Sequence, residues 1–330
     1  MKPKALFILN DFKRIYGPEE QAQIAEMCDV IAPPQTPDSI KGHPELLADV
    51  ELIFSGWGAP KLDAEFLDKA SKLKAFFYGA GSVKGCVTPE FWKRDIVLTS
   101  SWVANAVPVS EMALAEILLS LRLTWRHMQN FKCRREYMRF EDEMPGAYKS
   151  TVALLSLGMI GRKVARLLKN FDLKVLAYDP FAKQADADEL GAELVSLEDA
   201  FKRADVVSMH TPWLKETENM ITGELLRSMK PNATFINTSR GAIVDEKAMC
   251  QVLKERPDLT AVLDVTWPEP PEKDSPLYTL ENVVLTPHIA GSMSNECHRM
   301  AQYAIDECRR FLKGEKLMYQ VTEEMAARMA

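Results

Sequence analysis

Residues 151–168 read TVALLSLGMIGRKVARLL. An apolar run, Val152–Leu155, gives way to Gly158 and Gly161 at GxxG spacing, and an amphipathic segment follows at once. Strand, glycine turn and helix in that order begin a βαβ unit. In a G-x-G-x-x-G turn the first glycine permits a tight bend. The second lets the backbone approach a pyrophosphate, and the third lets helix and strand pack closely. The helix N-terminus then offers free N–H groups and a positive dipole end. Ser156 occupies the first position here, a departure that bears on the tightness of the bend. GxxG alone is a weak signal, since glycines at such junctions are common. Asp179 strengthens it: it closes the next strand, 18 residues after Gly161, where an acid accepts hydrogen bonds from adenosine ribose hydroxyls. Pro180 and Phe181 follow, not arginine, so a 2′-phosphate would meet a negative charge unaided. The pattern points to NAD over NADP.

The same alternation extends outward in both directions. Downstream, apolar runs at Lys174–Tyr178, Val206–His210, Thr234–Asn237, Ala261–Val265 and Val283–Thr286 are separated by helical stretches. With Val152–Leu155 they make six strands, enough for a complete doubly wound dinucleotide fold. Upstream, Ala5–Leu9, Glu51–Ser55, Lys74–Tyr78 and Ile96–Thr99 are candidate strands, with helical patterns at Pro18–Cys28 and Asp63–Ser71. Between the two sets, Val107–Phe131 is a long amphipathic pattern with Pro108 at its first turn, read as a single linking helix. A polar stretch, 132–150, carries a turn at Pro145-Gly146, and a last helix is expected over Ser292–Lys313. The fold class expected is α/β, with two Rossmann-like domains built on doubly wound parallel sheets.

The 330 residues suit two domains, and 47% hydrophobic with 27% charged residues is ordinary for a globular chain. A net charge of −6 and the lack of a basic run argue against nucleic acid or an anionic membrane surface as partner. Six scattered cysteines have neither CxxC nor metal-ligand spacing, so no metal is expected and the thiols read as reduced and mostly buried. The N-terminus does not read as a signal peptide, and no stretch reads as a membrane span. A cytoplasmic location is expected.

Three chemically capable residues lie at or beyond the later strand ends, where open α/β sheets bind ligands: Arg240 in INTSRGAIVDE, Glu269 in LDVTWPEP and His288 in LTPHIAG. Singly, each has a dull explanation as a surface cation, a loop carboxylate or a core histidine. Together they supply an electrophile, an orienting carboxylate and a proton donor. Ketone reduction develops negative charge on oxygen, which a positioned guanidinium stabilises, and histidine is suited to acid–base work near neutral pH.

Over nearly its full length the chain resembles the D-2-hydroxyacid dehydrogenase family. The matching segments are SLGMIG, the Asp179 strand end, MHTPWLKETENMI, INTSRGAIVDE, LDVTWPEP and TPHIAG, in family order. The resemblance implies a substrate-binding domain from residues 1–103 and 292–330, a dinucleotide-binding domain from 104–291, and an active site in the cleft between them. It implies a homodimer built through the helix after residue 107 and the arm beyond it. It also implies an oxidoreductase that interconverts a 2-keto acid and a D-2-hydroxy acid with NAD(H). Arg240 would bind and polarise the substrate, and His288 would be the acid/base paired with Glu269. Cofactor contacts would come from Gly158, Met159, Ile160, Gly161, Asp179, His210, Thr211, Pro212, Thr238, Ser239, Asp264 and Gly291, with Asp264 holding the carboxamide. The stretch YGAGSVKG resembles the family's carboxylate-binding loop, implicating Ala80, Gly81, Ser82 and Val83 through an amide nest. Trp213 and Trp267 stand beside these motifs, either shaping a pocket or packing at a domain interface. His43, His127 and His298 have no role by spacing. The alternative reading is an NAD(H)-sensing, co-repressor-like interaction protein on the same fold.

Overall fold

Successive strand residues in this protein point to opposite faces, and in both sheets both faces are buried. In the first sheet Leu6, Ile8, Ile53, Phe76 and Tyr78 enter one apolar cluster, while Ala5, Phe7, Leu52, Phe54, Ala75 and Phe77 enter another. In the second, Ala153, Leu155, Val207, Met209 and Phe235 lie on one face, and Val152, Leu154, Val206 and Ile236 on the other. Parallel strands covered on both faces have this signature of near-continuous apolar runs. The computed structural model describes residues 1–137 and 143–329. The arm expected from the polar stretch falls partly at 138–142, outside the described residues, as does residue 330.

The described chain forms two compact units, 1–106 with 292–329, and 107–291. In the first unit β1 (Lys4–Phe7), β2 (Asp29–Val30), β3 (Leu52–Ser55), β4 (Ala75–Tyr78) and β5 (Val97–Ser100) form a parallel sheet in the order β2-β1-β3-β4-β5. The helix Asn295–Lys313 lays Cys297, Met300, Ala301, Ala304 and Ile305 against one face. Gly314, left-handed at φ 67°, ends it.

In the second unit β6 (Thr151–Leu155), β7 (Lys174–Tyr178), β8 (Ala192–Leu194), β9 (Val206–Met209), β10 (Thr234–Asn237), β11 (Thr260–Leu263) and β12 (Val283–Leu285) are all parallel. Their order is β12-β11-β10-β9-β6-β7-β8. The direction of winding reverses between β6 and β9, the switch point where such sheets bind ligands. Among the described residues this sheet has seven strands rather than the six expected. β8 is three residues with an exposed glutamate, Glu193, at its centre, so it shows no apolar run.

The linking helix also differs from expectation. It starts at Trp102 and ends at Ser120, with Pro108 inside it. The Ser101 carbonyl accepts from the Ala104 and Asn105 amides and opens the helix early. Leu123, left-handed at φ 49°, then breaks the pattern before a separate short helix, Thr124–Gln129. By length and composition Trp102–Ser120 is apolar enough to cross a membrane, with mean hydropathy 1.3, contrary to the reading that no stretch qualifies. Half of it is buried inside the protein, as in a core helix.

Candidate active site

The carboxyl ends of six neighbouring strands carry the expected site residues in one row. In sheet order they are His288 after β12, Asp264 after β11, Arg240 after β10, His210 after β9, the glycine turn after β6 and Asp179 after β7.

At the glycine turn Ser156 takes φ 80°, the left-handed conformation that favours glycine. The tight bend is therefore made, with a serine in it. Gly161 has no such freedom: a Cβ there would lie 2.0 Å from the Ser156 carbonyl oxygen, so only glycine fits beneath the turn. The helix Met159–Leu168 makes its first bond from Arg162 N–H to the Gly158 carbonyl at 3.0 Å. The amides of Met159, Ile160 and Gly161 before it have no carbonyl one turn back and face an incoming anion. Asp179 anchors the turn. Its Oδ2 accepts from Leu157 N–H at 2.7 Å and Ser156 Oγ at 3.2 Å, and its Oδ1 accepts from the Phe181 and Ala182 amides at 2.8 and 3.2 Å. An acid at the end of the unit's second strand, free helix amides and a glycine required at position 161 fit a dinucleotide.

His210 sits next to this turn, its Cδ2 3.8 Å from where a Gly161 Cβ would be. It is buried, and burial lowers its pKa to about 4, so the ring is neutral near pH 7. Nε2 is 3.2 Å from Ser208 Oγ, and Nδ1 has no partner among the described residues. That suits a wall residue rather than a second acid. Thr211 Oγ1 bonds the Leu155 carbonyl, Ser239 Oγ bonds the Thr211 carbonyl, and Pro212 continues the loop half-buried. Thr238 Oγ1 is buried with no partner among the described residues.

Arg240 follows β10 in extended conformation, with Nη1 on the Ser239 carbonyl at 2.7 Å and its own carbonyl held by Asn237 Nδ2 at 3.1 Å. Burial lowers its pKa and the nearby Glu269 opposes that shift. Gly241 lets this loop press on the next: a Cβ there would lie 2.0 Å from the Thr266 carbonyl carbon. That contact brings the Arg240 and Glu269 loops together. Glu269 Oε1 meets His288 Nδ1 at 2.6 Å, both side chains exposed. His288 is held at φ 54°, a strained backbone for a non-glycine. Its amide bonds the Asp264 carbonyl at 2.9 Å.

Asp264, expected to hold the nicotinamide carboxamide, has its carboxylate engaged by three donors of its own chain. It accepts from Ile289 N–H and Ala290 N–H, each at 2.8 Å, and from Thr286 Oγ1 at 2.6 Å. It thus fixes the loop that bears His288 and ends at the half-buried Gly291. In the first unit, Ser100 Oγ holds the Ala80 and Gly81 carbonyls, and the Val83 carbonyl accepts from the Cys86 amide. Ala80 and Val83 are buried and Ser82 is part-exposed. The amides of Gly81, Ser82 and Val83 make no hydrogen bond among the described residues, as an anion nest requires.

Sequence reasoning left the role of Trp213 and Trp267 open and did not single out Glu246 or Glu116. Trp213 and Trp267 meet edge to face at 4.8 Å, with Trp267 54% exposed, so the pair is not simply buried packing. Since β10 lies between β9 and β11, the two indoles join the loops on either side of Arg240. Glu246 Oε2 accepts the Trp267 amide at 3.1 Å. Glu116 is buried on the linking helix, and its Oε2 has no partner among the described residues. Burial, and secondarily Asp264, pushes its carboxyl up to about 8. The available signal was an acid, Glu116, on the apolar stretch of this helix, where the other glutamate, Glu111, is exposed.

Residues 114–290 match the family model described as the NAD-binding domain of D-isomer specific 2-hydroxyacid dehydrogenases. A glyoxylate reductase of Korarchaeum cryptofilum is 34% identical over 284 residues, covering 85% of each chain. A D-3-phosphoglycerate dehydrogenase of Methanocaldococcus jannaschii is 32% identical over 270 residues; the match covers 81% of this chain and spans only 50% of that relative's length. Among solved structures, the apo D-mandelate dehydrogenase of Rhodotorula graminis superposes with a TM-score of 0.82 at 25% identity, covering 98% of both chains. The chain belongs to the D-isomer specific 2-hydroxyacid dehydrogenase family, and its second unit is that family's NAD-binding domain.

Proposed function

We propose that this protein interconverts a 2-keto acid and a D-2-hydroxy acid, with Arg240, Glu269 and His288 as its working residues. The bound NADH would supply the hydride. The observation that carries the reading is the 2.6 Å contact between His288 Nδ1 and Glu269 Oε1, beside a guanidinium delivered by the neighbouring strand end. With Nδ1 turned to the carboxylate, Nε2 is left to give its proton to the substrate oxygen as that oxygen gains charge. Arg240 binds the substrate carboxylate and polarises the carbonyl, and its burial strengthens that action. The free amides of the 81–83 loop suit a carboxylate. NADH oxidation over glyoxylate, hydroxypyruvate, pyruvate and bulkier keto acids tests the activity. Retention of turnover in both His288→Ala and Arg240→Ala would overturn the assignment of roles.

The two relatives described above are named as a reductase and a dehydrogenase, which does not favour the co-repressor-like alternative. A homodimer is supported by the exposed Leu119, Met128, Phe131, Tyr137 and Tyr148. A cavity of about 1040 Å³ lined by Met128 reaches Leu253, Leu280 and Val283. It includes Thr260 and Val283, the first residues of β11 and β12, and so lies at the sheet end opposite the site. A mass measurement by light scattering would decide it, a monomer refuting it. A cytoplasmic location fits a soluble-metabolite substrate and is tested by fractionation.

A further inference from the structure

We propose that the Ser156 hydroxyl occupies the place of an adenosine ribose hydroxyl on Asp179 and so sets the affinity for the cofactor. A carboxylate has about four acceptor sites, and Asp179 fills them with four donors, two on each oxygen. Three are backbone amides fixed by the turn and the strand end. The fourth, Ser156 Oγ on Oδ2 at 3.2 Å, is the only one on a rotatable side chain. A ribose hydroxyl that bonds Asp179 must take a site from one of these four. Turning χ1 of Ser156 costs the least backbone disturbance, because displacing Leu157 N–H or the Phe181 amide would open the turn itself. A glycine at position 156 would present no competitor. The serine also holds φ 80°, where glycine is unstrained, so the chain retains a strained side chain whose hydroxyl contacts the cofactor-recognising acid.

This inference rests on NAD binding and not on the chemistry proposed for His288, so the two can fail separately. The test titrates the full-length protein with NADH, with ADP-ribose and with reduced nicotinamide mononucleotide, following ligand fluorescence or heat. Ser156→Ala removes the hydroxyl and keeps the strained backbone. Ser156→Gly removes both. Each variant is expected to bind NADH and ADP-ribose about threefold to tenfold more tightly, the worth of one competing hydrogen bond. The mononucleotide, which lacks the adenosine, is expected to bind all three proteins alike. Thermal unfolding of the ligand-free proteins separates stability from affinity and shows whether each variant is folded. Unchanged or weaker NADH binding in Ser156→Ala would overturn the proposal. So would an equal gain for the mononucleotide, which would place the effect in the turn and not at Asp179.

Discussion

Glu116→Gln should remove an alkaline loss of stability from the second unit. Most folded carboxylates gain partners and lose stability in acid. Glu116 is buried at 5% exposure, and its Oε2 is without a partner among the described residues. Its carboxyl is raised from the ordinary 4.5 to about 8, by burial first and by Asp264 second. The folded state therefore keeps a proton that the unfolded chain releases. Its contribution is full below about pH 4.5 and is lost as pH rises through about 8, at about 1.4 kcal/mol per pH unit within that window. Between about pH 5 and pH 9 the loss comes to about 4 kcal/mol, a large share of a domain's stability. Glutamine has nearly the same shape and cannot ionise. The assay is urea unfolding of wild type and variant across that range. The variant is expected near or slightly below wild type at pH 5, where its amide is buried, and several kcal/mol more stable at pH 9. A difference that stays flat with pH would show that Glu116 ionises without resistance and would refute the reasoning.

Gly161→Ala must push a methyl against the Ser156 carbonyl; it should cost about 1–3 kcal/mol by overpacking and weaken NADH binding, both measurable in one thermal-shift titration. Wild-type affinity there would mean the turn does not form as described. Glu269→Gln keeps the shape of the His288 partner and removes its charge. Reduction of a keto acid should slow by roughly 10²- to 10⁴-fold, with NADH binding unchanged; a loss within about threefold would separate Glu269 from the chemistry. Asp264→Asn replaces a carboxylate that holds three donors of the 286–290 loop. Leaving one donor unpaired should cost about 1–3 kcal/mol and raise hydrogen exchange at Ile289 and Ala290, and unchanged exchange would count against it.

The fold was legible where apolar runs were long and failed where they were short. Val152–Leu155 announced β6, whereas Ala192–Leu194 and Asp29–Val30 carry too few apolar residues to announce β8 and β2. The helix break at Leu123 was invisible because leucine favours helix, and only the packing forces it to φ 49°. In the site, residue types were legible and hydrogen-bond partners were not. Asp264 reads from sequence like any strand-end acid, and which groups its two oxygens reach depends on β12 lying beside β11. The Trp213–Trp267 contact likewise depends on strand order, since 54 residues separate the two indoles in the chain.

That dependence on neighbouring strands explains why the polar residues are distributed as they are. His288 stands at φ 54°, a conformation that costs of order 1–3 kcal/mol unless its surroundings impose it. The Asp264 carbonyl takes the His288 amide, and the Asp264 carboxylate takes the next two amides and the Thr286 hydroxyl. One buried acid just after β11 thus holds Thr286, His288, Ile289 and Ala290 after β12, and Glu269, from the same loop, then meets the imidazole. Gly241 presses the Arg240 loop onto Thr266 in that same loop. His288, Glu269 and the Arg240 guanidinium are therefore all positioned against the segment 264–269, which makes it the common support of the candidate site. Any ionisation near Asp264, Glu116 included, acts on that support. Alkaline loss of stability and alkaline loss of turnover should consequently move together in wild type and separate in Glu116→Gln.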